Sequence, residues 1–265
     1  MTGQQTPARA ANVLPYGDRI NTVSIEDTFK WLGAGWRDFK RSGLTSLAYG
    51  GIFVLAGLIL TAGLYLTGFE YLIAPLTAGF LLAGPALTVG FYTISRDLEA
   101  GVKPTFQSAF FAWRENPIHL LGMGLGLVLF LIIWVRLAVM TFAVSFPHTN
   151  LNIQSIVNTT LFTVDGWVFL AIGAAVGCVM ATIAFVVSVF SLPLMLDRKA
   201  DIIQALVTSV VAVIMNFRVM MVWAALVVVF TFAGLFTFYI GLAVSLPLIG
   251  HASWHAYRAV IKQPA

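Results

Sequence analysis

The most constraining feature of this sequence is a series of long apolar runs that contain almost no charged side chains. Four of these runs cover 44–67, 72–94, 118–146 and 167–196, and a fifth, 219–249, carries no charge at all. A helix needs about 20 residues to cross a hydrocarbon layer about 30 Å thick, and each of the first four runs provides them. The sequence therefore predicts an all-α fold, a polytopic bundle of transmembrane helices.

The composition excludes several other classes of protein. Charged residues make up 10% of the 265-residue chain and hydrophobic residues 59%, whereas about 25% of a soluble domain is charged. A soluble globular enzyme, a disordered chain and a collagen-like chain are all excluded. The single cysteine, Cys178, excludes a disulfide framework and a zinc site built on several thiolates.

The positive charges lie in alternate connections between the apolar runs. Apart from Arg136, all of the 15 Lys and Arg residues fall before the first run, between the second and third, between the fourth and fifth, or after the fifth. The connections 68–71 and 147–166 contain none. Because positive loops stay in the cytoplasm, we expect a multi-pass protein of the bacterial inner membrane, with both termini cytoplasmic.

The fifth run, 219–249, is longer than one membrane-spanning helix needs and shorter than two such helices need. Placing Arg258 and Lys262 on the cytoplasmic side requires an even number of crossings. We therefore interpret this run as a tight hairpin that turns near 234–238, which gives about six spans arranged as three hairpins. A single long fifth helix is the alternative.

The net charge of +4 also comes from the inner side. It predicts contact with the anionic headgroups of the lipid bilayer and no binding of nucleic acid. Since the basic residues are spread over separate connections and termini, the sequence supports no claim of a compact headgroup pocket. Residues 1–23 are expected to form a flexible cytoplasmic arm, and residues 24–262 the transmembrane helical domain.

An amphipathic helix is predicted before the first span. Ser24 is followed three residues later by Asp27, as in a capping box. One apolar face then repeats at helical spacing, formed by Ile25, Phe29, Leu32, Trp36 and Phe39. Such a helix lies in the headgroup region; packing beneath the bundle is the alternative, and the two are compatible.

The same arrangement recurs along the chain. Phe106 and Trp113 stand before the third span at the same offset from Phe29 and Trp36. A fainter third copy covers 202–217, where Asn216 corresponds to Asn116. Each transmembrane hairpin is therefore expected to follow a cytoplasmic interfacial helix.

Proline and glycine mark further structural positions. Pro85, Pro193 and Pro247 occupy corresponding places near the inner ends of the even-numbered spans. Prolines of this kind indicate either a midplane binding site or, in the interpretation we prefer, helix kinks. Small residues four apart predict close helix packing, namely Gly122 with Gly126 and Gly173 with Gly177.

Ionisable side chains within the spans are scarce. Arg136 is the exception, and its distance from Pro117 places it near the outer headgroups, where we expect it to anchor the helix with Asp165 as a partner. His119, His251 and His255 lie near the inner face and are the candidate cofactor ligands. No carboxylate close in sequence supports a metal site, so amphipathic side chains at the interface are the preferred interpretation.

The chain resembles an uncharacterised bacterial family of predicted integral membrane proteins. The resemblance rests on Gly-Trp-Arg-Asp-Phe at 35–39, on Ser-Arg-Asp-Leu-Glu-Ala-Gly at 95–101 and on the proline-containing inner ends. It implies a membrane location and a helical fold, without an established activity. Some members of that family are labelled cytochrome c oxidase subunit I, but such subunits hold haem and copper through several histidines inside their spans, which this chain lacks.

Three classes of function remain open. We favour a non-catalytic scaffold, assembly or accessory factor, with respiratory complexes and other membrane proteins as its partners. The alternative is a transporter or channel for a neutral or lipidic small molecule. The third class is an enzyme with a haem or metal at the inner surface, and only the histidines support it. We therefore predict no enzymatic activity, no cofactor and no metal. The oligomeric state is not predicted.

Overall fold

A computed structural model describes residues 15–147 and 153–263, without the side chain of Ile153. These residues form helices and connections, with one isolated antiparallel bridge between Ile20 and Ile261. The predicted helical fold is confirmed, and no strand occurs in the described ranges.

The helices fall into three consecutive units. The first contains α1 (Ile25–Ser42), α2 (Leu44–Leu66), α3 (Ile73–Leu87) and α4 (Val89–Glu99). The second contains α5 (Phe106–Phe110), α6 (Pro117–Ser145), α7 (Ile153–Leu161), α8 (Val164–Ser188) and α9 (Ser191–Arg198). The third contains α10 (Ile202–Met215), α11 (Phe217–Phe236) and α12 (Leu242–Val260).

Five helical stretches of the described chain are long and apolar enough to cross a membrane. They are Leu44–Leu66, Glu70–Glu99, Pro117–Ser145, Val164–Arg198 and Phe217–Phe236. The four spans predicted from the first four apolar runs are thereby confirmed as membrane-crossing candidates. Helix α12 is not among the five, so the sixth crossing and the three-hairpin arrangement stay predictions.

The run 219–249 is divided between two helices. Helix α11 ends at Phe236 and α12 begins at Leu242, and the two pack against each other. Thr237 shapes the turn, since its hydroxyl donates to the carbonyl oxygen of Gly234 and accepts the N–H of Gly241. The predicted break is present a few residues later than expected, and the single long helix is excluded.

Helix α1 has two different faces. It begins after Ser24, as predicted, where the backbone N–H of Ser24 donates to Asp27 Oδ2 at 2.8 Å. Phe29 and Trp36 on the aromatic face are exposed, while the opposite face, which includes Trp31 and Asp38, is buried against α12. One face of this helix is therefore exposed and the other packs on the bundle, and its position in the headgroup region stays a prediction.

The other two inner helices differ from the first in length. The second is a five-residue helix, α5, followed by a 3-10 turn over Ala112–Glu115. The third, α10, has 14 residues. Asn116 and Asn216 precede α6 and α11, and their side-chain amides donate to backbone carbonyls of neighbouring segments, which supports the predicted repeat.

Two of the three marked prolines lie next to helix breaks. Pro85 precedes the break between α3 and α4 at Thr88, and Pro193 follows the break between α8 and α9. At the second break the Ser209 hydroxyl accepts the N–H of Phe190 and donates to the carbonyl oxygen of Val186, which satisfies the freed backbone groups. Pro247 lies inside α12, which continues through it.

Helix α12 is the centre of one half of the bundle, where it packs against α1, α2, α4 and α11. Helices α3, α6 and α8 pack on one another and form the other half. The end of the bundle near α1 and α10 carries most of the Lys and Arg residues and is called the inner end below.

Part of the predicted arm is described. Residues 1–14 lie outside the described residues. The segment that follows is fixed to the inner end, because Asn21 donates its backbone N–H to the carbonyl oxygen of Val260 at 2.8 Å, and Val23 donates to Asn216 Oδ1 at 3.0 Å. The boundary at residue 23 stays a prediction.

Candidate functional site

A group of polar side chains is buried where α1, α2, α4 and α12 meet at the inner end. We call it the polar cluster, and its members are Asp38, Ser42, Ser46, Ser95, His251 and His255. Ser46 and His251 are completely buried, and Ser95 and Asp38 are nearly so. The cluster therefore joins the inner helix of the first unit to the last helix of the third.

The hydrogen bonds of the polar cluster form one chain. Ser95 donates its hydroxyl proton to Asp38 Oδ2 at 2.8 Å, so its oxygen must accept from His251 Nδ1, which lies at 2.8 Å. His251 Nε2 then accepts from Ser46 Oγ at 2.8 Å. This assignment gives His251 as a neutral imidazole with its proton on Nδ1.

Asp38 carries the negative charge of the cluster. Burial opposes ionisation of its carboxyl group, but hydrogen bonds from His255 and Ser95 outweigh this effect and lower the pKa of Asp38 below its ordinary value. His255 Nε2 lies 2.8 Å from Asp38 Oδ2, and its side chain is partly exposed. The cluster thus runs from an accessible imidazole to a fully buried hydroxyl.

Glycine residues allow the four helices to approach closely around the cluster. A Cβ atom at Gly35 would lie 2.6 Å from the backbone nitrogen of Ala252, and one at Gly250 would lie 2.6 Å from Phe91 Cβ. These distances are shorter than real contacts allow, so a larger residue would push the helices apart. The cluster depends on glycine at both positions.

The order of the groups differs from that of a catalytic triad. In a triad the carboxylate accepts from the imidazole that activates the serine. Here Ser95 lies between Asp38 and His251, and its proton is directed at the carboxylate. Ser95 therefore separates the carboxylate from the imidazole, and the chain of hydrogen bonds connects α1, α2, α4 and α12.

The three candidate histidines occupy two places. His251 and His255 belong to the polar cluster, whereas His119 lies in the first turn of α6, where its Nδ1 accepts the backbone N–H of Ile202 at 3.3 Å. Among the residues that the structure describes, no group of three or more His, Cys, Asp or Glu side chains could hold a metal ion.

Asp38, Ser42, Ser46 and Ser95 were not predicted as site residues. The motifs at 35–39 and 95–101 contain Asp38 and Ser95, but the sequence does not indicate that these residues meet. The sequence feature from which Asp38 could have been found is its position on α1: it lies on the face opposite the aromatic side chains, on the same side of the helix as Gly35. Ser42 and Ser46 continue that line into α2.

A second feature is a cavity of about 990 Å³ between the two halves of the bundle. Side chains of α3, α6, α8, α11 and α12 form most of its lining. Tyr71, in the turn before α3, and Thr160 of α7 line its outer end, and Tyr92 of α4 and Ser253 of α12 line its inner end. Val229 and Phe232 line it and are 62% and 45% exposed, so the cavity continues to the lipid-facing surface.

The cavity is apolar and carries no charge. None of the described side chains that line it belongs to Asp, Glu, Lys, Arg or His. Several of its hydroxyl groups donate within their own helix, as Thr141 does to Leu137 and Ser188 to Ala184. Trp134 Nε1 donates to the carbonyl oxygen of Pro75 at 2.8 Å.

Trp223 is an exception among the polar groups of the cavity wall. Its side chain is completely buried, and its Nε1 has no hydrogen-bond partner in the described part of the chain. One edge of the ring packs against Trp31, with ring centroids 5.6 Å apart. A buried N–H without an acceptor is costly, and the residue that carries it lies in the cavity wall.

The glycines predicted for helix packing have different surroundings. Gly177 lines the cavity, and a Cβ there would lie 3.1 Å from the ring of Trp134. Gly173 also lines the cavity, but a Cβ there would meet no described atom within 4 Å. Gly126 on α6 lies outside the cavity, and a Cβ there would also meet no described atom within 4 Å. A Cβ at Gly122 would meet only the end of the Ile202 side chain, at 3.9 Å.

The predicted interfacial residues are at the surface. Trp36 stacks on Phe39 with ring centroids 5.4 Å apart, and both Trp36 and Trp113 are exposed. Arg136 is exposed on α6 and forms no ion pair with Asp165 among the described residues. Its predicted role as an anchor stays a prediction.

Comparison with known proteins finds a family model that matches part of the chain. Residues 72–197 match the model of the family described as "Predicted integral membrane protein (DUF2189)", which confirms the resemblance to such a family. The matched segment runs from the start of the second span to the end of α9 and includes Ser95 but neither Asp38 nor His251. No curated protein and no solved structure matches the chain. The protein is an integral, multi-pass membrane protein that lies in a lipid bilayer.

Proposed function

We propose that this protein binds a neutral lipidic molecule within the membrane, in the cavity between α3, α6, α8, α11 and α12. The observation that carries the proposal is the volume of about 990 Å³ without a charged side chain among the described lining residues. Pockets for small molecules have volumes of about 300–1,000 Å³ and are lined mainly by apolar and aromatic side chains.

The surroundings of the cavity support entry from the bilayer. Val229 and Phe232 line the cavity and are also exposed on the outer surface of the bundle, so a molecule dissolved in the bilayer can enter the cavity laterally. A charged ligand would lose its hydration without gaining a counter-charge. The proposed ligand is therefore uncharged, with a long apolar part.

In this proposal the protein is a carrier or binding protein without catalytic activity. The buried groups of the polar cluster pair with one another, and their proposed role is to hold α1, α2, α4 and α12 together.

We also propose that the protein lies in the bacterial inner membrane, with both termini in the cytoplasm. A C-terminal reporter that is active outside the cytoplasm would contradict this topology.

Paired glycine variants test the binding function. Gly173→Phe places a ring in the cavity, where a Cβ meets nothing within 4 Å, and Gly126→Phe makes the same change at an equally open position outside it. Purified variants in detergent are titrated with a pyrene-labelled diacylglycerol. We expect at least tenfold weaker binding to Gly173→Phe and unchanged binding to Gly126→Phe. Equal binding by both variants would contradict the proposal.

A scaffold or accessory subunit is the second candidate, and respiratory complexes are among its proposed partners. It is favoured by the open small-residue face of α6, where no described atom lies within 4 Å of a Cβ at Gly126. Small residues allow a helix of another protein to approach closely. For a scaffold, Gly126→Phe would lose a partner that co-purifies stoichiometrically and Gly173→Phe would keep it.

A further inference from the structure

A second, smaller cavity of about 310 Å³ lies at the inner end. Three cationic side chains line it, those of Arg19, Arg198 and Lys199, together with one carboxylate, that of Asp201. The sequence alone supported no claim of such a pocket, because these residues lie in separate segments. The bridge between Ile20 and Ile261 brings Arg19 to the inner end, where it lines the same cavity as Arg198 of α9.

Two of the three cationic groups of this cavity are available to a ligand. Neither Arg19 nor Lys199 forms an ion pair within the described ranges, and the Arg19 guanidinium lies over the ring of Tyr16. Arg198 is engaged by the protein: its Nε lies 3.8 Å from the carboxylate of Asp197, and its Nη2 donates to the carbonyl oxygen of Lys262 at 2.6 Å and to Gln263 Oε1 at 3.3 Å. The charges of Arg19 and Lys199 are thus the ones that no ion pair of the described residues neutralises.

The single carboxylate of the cavity is already engaged. Asp201 Oδ1 accepts the backbone N–H of Gln204 at 2.9 Å and so caps the N-terminus of α10. His119 accepts from Ile202 through Nδ1, which assigns a proton to Nε2 and makes that atom a further donor.

The cavity lies beside the lipid-facing surface. Ile118, next to His119 at the start of α6, is 81% exposed, and Ile203, at the start of α10, is 71% exposed. Apolar side chains this exposed at the inner boundary are expected to contact acyl chains. A group bound in the cavity would therefore lie at the depth of the inner headgroups.

We propose that this cavity binds a phosphate group. Guanidinium and ammonium groups and an imidazole N–H are donors that proteins use for phosphate. The phosphate can belong to the headgroup of an anionic phospholipid in the inner leaflet or to a free phosphate ion in the cytoplasm. The site is separate from the apolar cavity and does not depend on the function proposed for it.

The test compares two double variants with the same loss of charge. Arg19→Gln with Lys199→Asn removes two cations from the cavity, and Asn is suited to position 199, whose φ of 52° lies in the left-handed region. Arg41→Gln with Lys103→Asn removes two exposed cations elsewhere, neither of which forms an ion pair among the described residues.

Delipidated protein is titrated in one arm with phosphatidylglycerol, measured by native mass spectrometry, and in the other with inorganic phosphate, measured as the rise in Tm. We expect about tenfold weaker binding of phosphatidylglycerol to the cavity variant and less than a twofold change for the control. If inorganic phosphate raises the Tm of the wild type but not of the cavity variant, and phosphatidylglycerol does not bind, the proposal is supported and the ligand is the free phosphate ion.

Two results would overturn the proposal. One is that neither probe binds the wild type, and the other is that both variants lose binding equally, as expected for general attraction to a basic surface. If the double variant does not fold, Lys199→Asn alone replaces it, with about threefold weaker binding expected against Lys103→Asn as its control.

Discussion

His255 Nε2 lies 2.8 Å from Asp38 Oδ2, although 217 residues separate the two positions. The contact joins α1, the first inner helix, to α12, the last helix of the chain. Asp38 also accepts from Ser95 of α4, so one carboxylate connects three helices. The inner end of the bundle therefore depends on a residue that the repeat pattern alone would describe as a polar surface position.

Replacing Asp38 by Asn is expected to destabilise the protein. Asn keeps the shape but removes the charge that accepts from Ser95 and His255, and hydrogen bonds to a charged group contribute about 1.5–3 kcal/mol. We expect the free energy of unfolding to fall by about 2 kcal/mol, measured by chemical denaturation in detergent. The control is Glu115→Gln, at the corresponding position of the second unit.

Glu115 pairs with Arg96 at 3.1 Å, but its side chain is 41% exposed. Exposed ion pairs contribute about 0–1 kcal/mol. The control should therefore lose less than the Asp38 variant. An equal loss would show that burial of Asp38 contributes nothing beyond an ordinary surface pair.

The stability of the inner end is expected to depend on pH through Asp38. Because its pKa is lower in the folded protein than the ordinary value of 3.8, its contribution is complete above that value and is lost as the pH falls below it. Thermal unfolding measured from pH 6 down to pH 3 should show a steeper loss of Tm in the wild type than in Asp38→Asn. Parallel curves would contradict this assignment.

Substitution of Gly35 tests the close approach of α1 and α12. A side chain there would meet the Ala252 nitrogen at 2.6 Å and the Leu248 oxygen at 2.7 Å, and neither backbone atom can move aside. We expect Gly35→Leu to destabilise the fold by several kcal/mol, by the mechanism of overpacking. The measurement is the Tm of purified protein in detergent.

The control for this substitution lies on the same helix. A Cβ at Gly33 meets only the end of the Arg37 side chain, at 3.8 Å. Leu is a better helix former than Gly by about 0.8 kcal/mol, so Gly33→Leu should leave the Tm unchanged or raise it. Similar losses at both positions would mean that α1 does not dock on α12 as described.

Trp223→Phe is expected to change ligand preference. The indole N–H has no acceptor among the described residues, and a ligand oxygen bound to it would gain about 1 kcal/mol, or about fivefold in affinity. The variant should bind a diacylglycerol about fivefold more weakly and a long-chain alkane as well as the wild type does. If binding of both probes falls by the same factor, the effect comes from ring volume and the N–H has no role.

The sequence predicted those features that follow from local chemistry. The apolar runs predicted the spans. Ser24 and Asp27 predicted the start of α1, because a helix start is determined by the few residues around it. The break between α11 and α12 followed from where Arg258 and Lys262 must lie. The matched family and the membrane location agree with these patterns.

The features that the sequence did not predict depend on contacts between distant segments. Asp38 and His255, or Arg19 and Lys199, come together only after the helices pack, and no spacing along the chain encodes that. The apolar cavity is a gap left by side-chain shapes on five helices. Pro85 and Gly173 mark its wall, but neither residue indicates in sequence that space lies beside it.

The central claim is that a neutral lipidic molecule occupies the cavity between the two halves of the bundle. Native mass spectrometry of wild-type protein purified in mild detergent tests it most directly. We predict a stoichiometric adduct with the mass of an uncharged lipid, present also in Gly126→Phe and absent from Gly173→Phe. A wild-type protein without such an adduct, or an adduct that persists in Gly173→Phe, would contradict the claim.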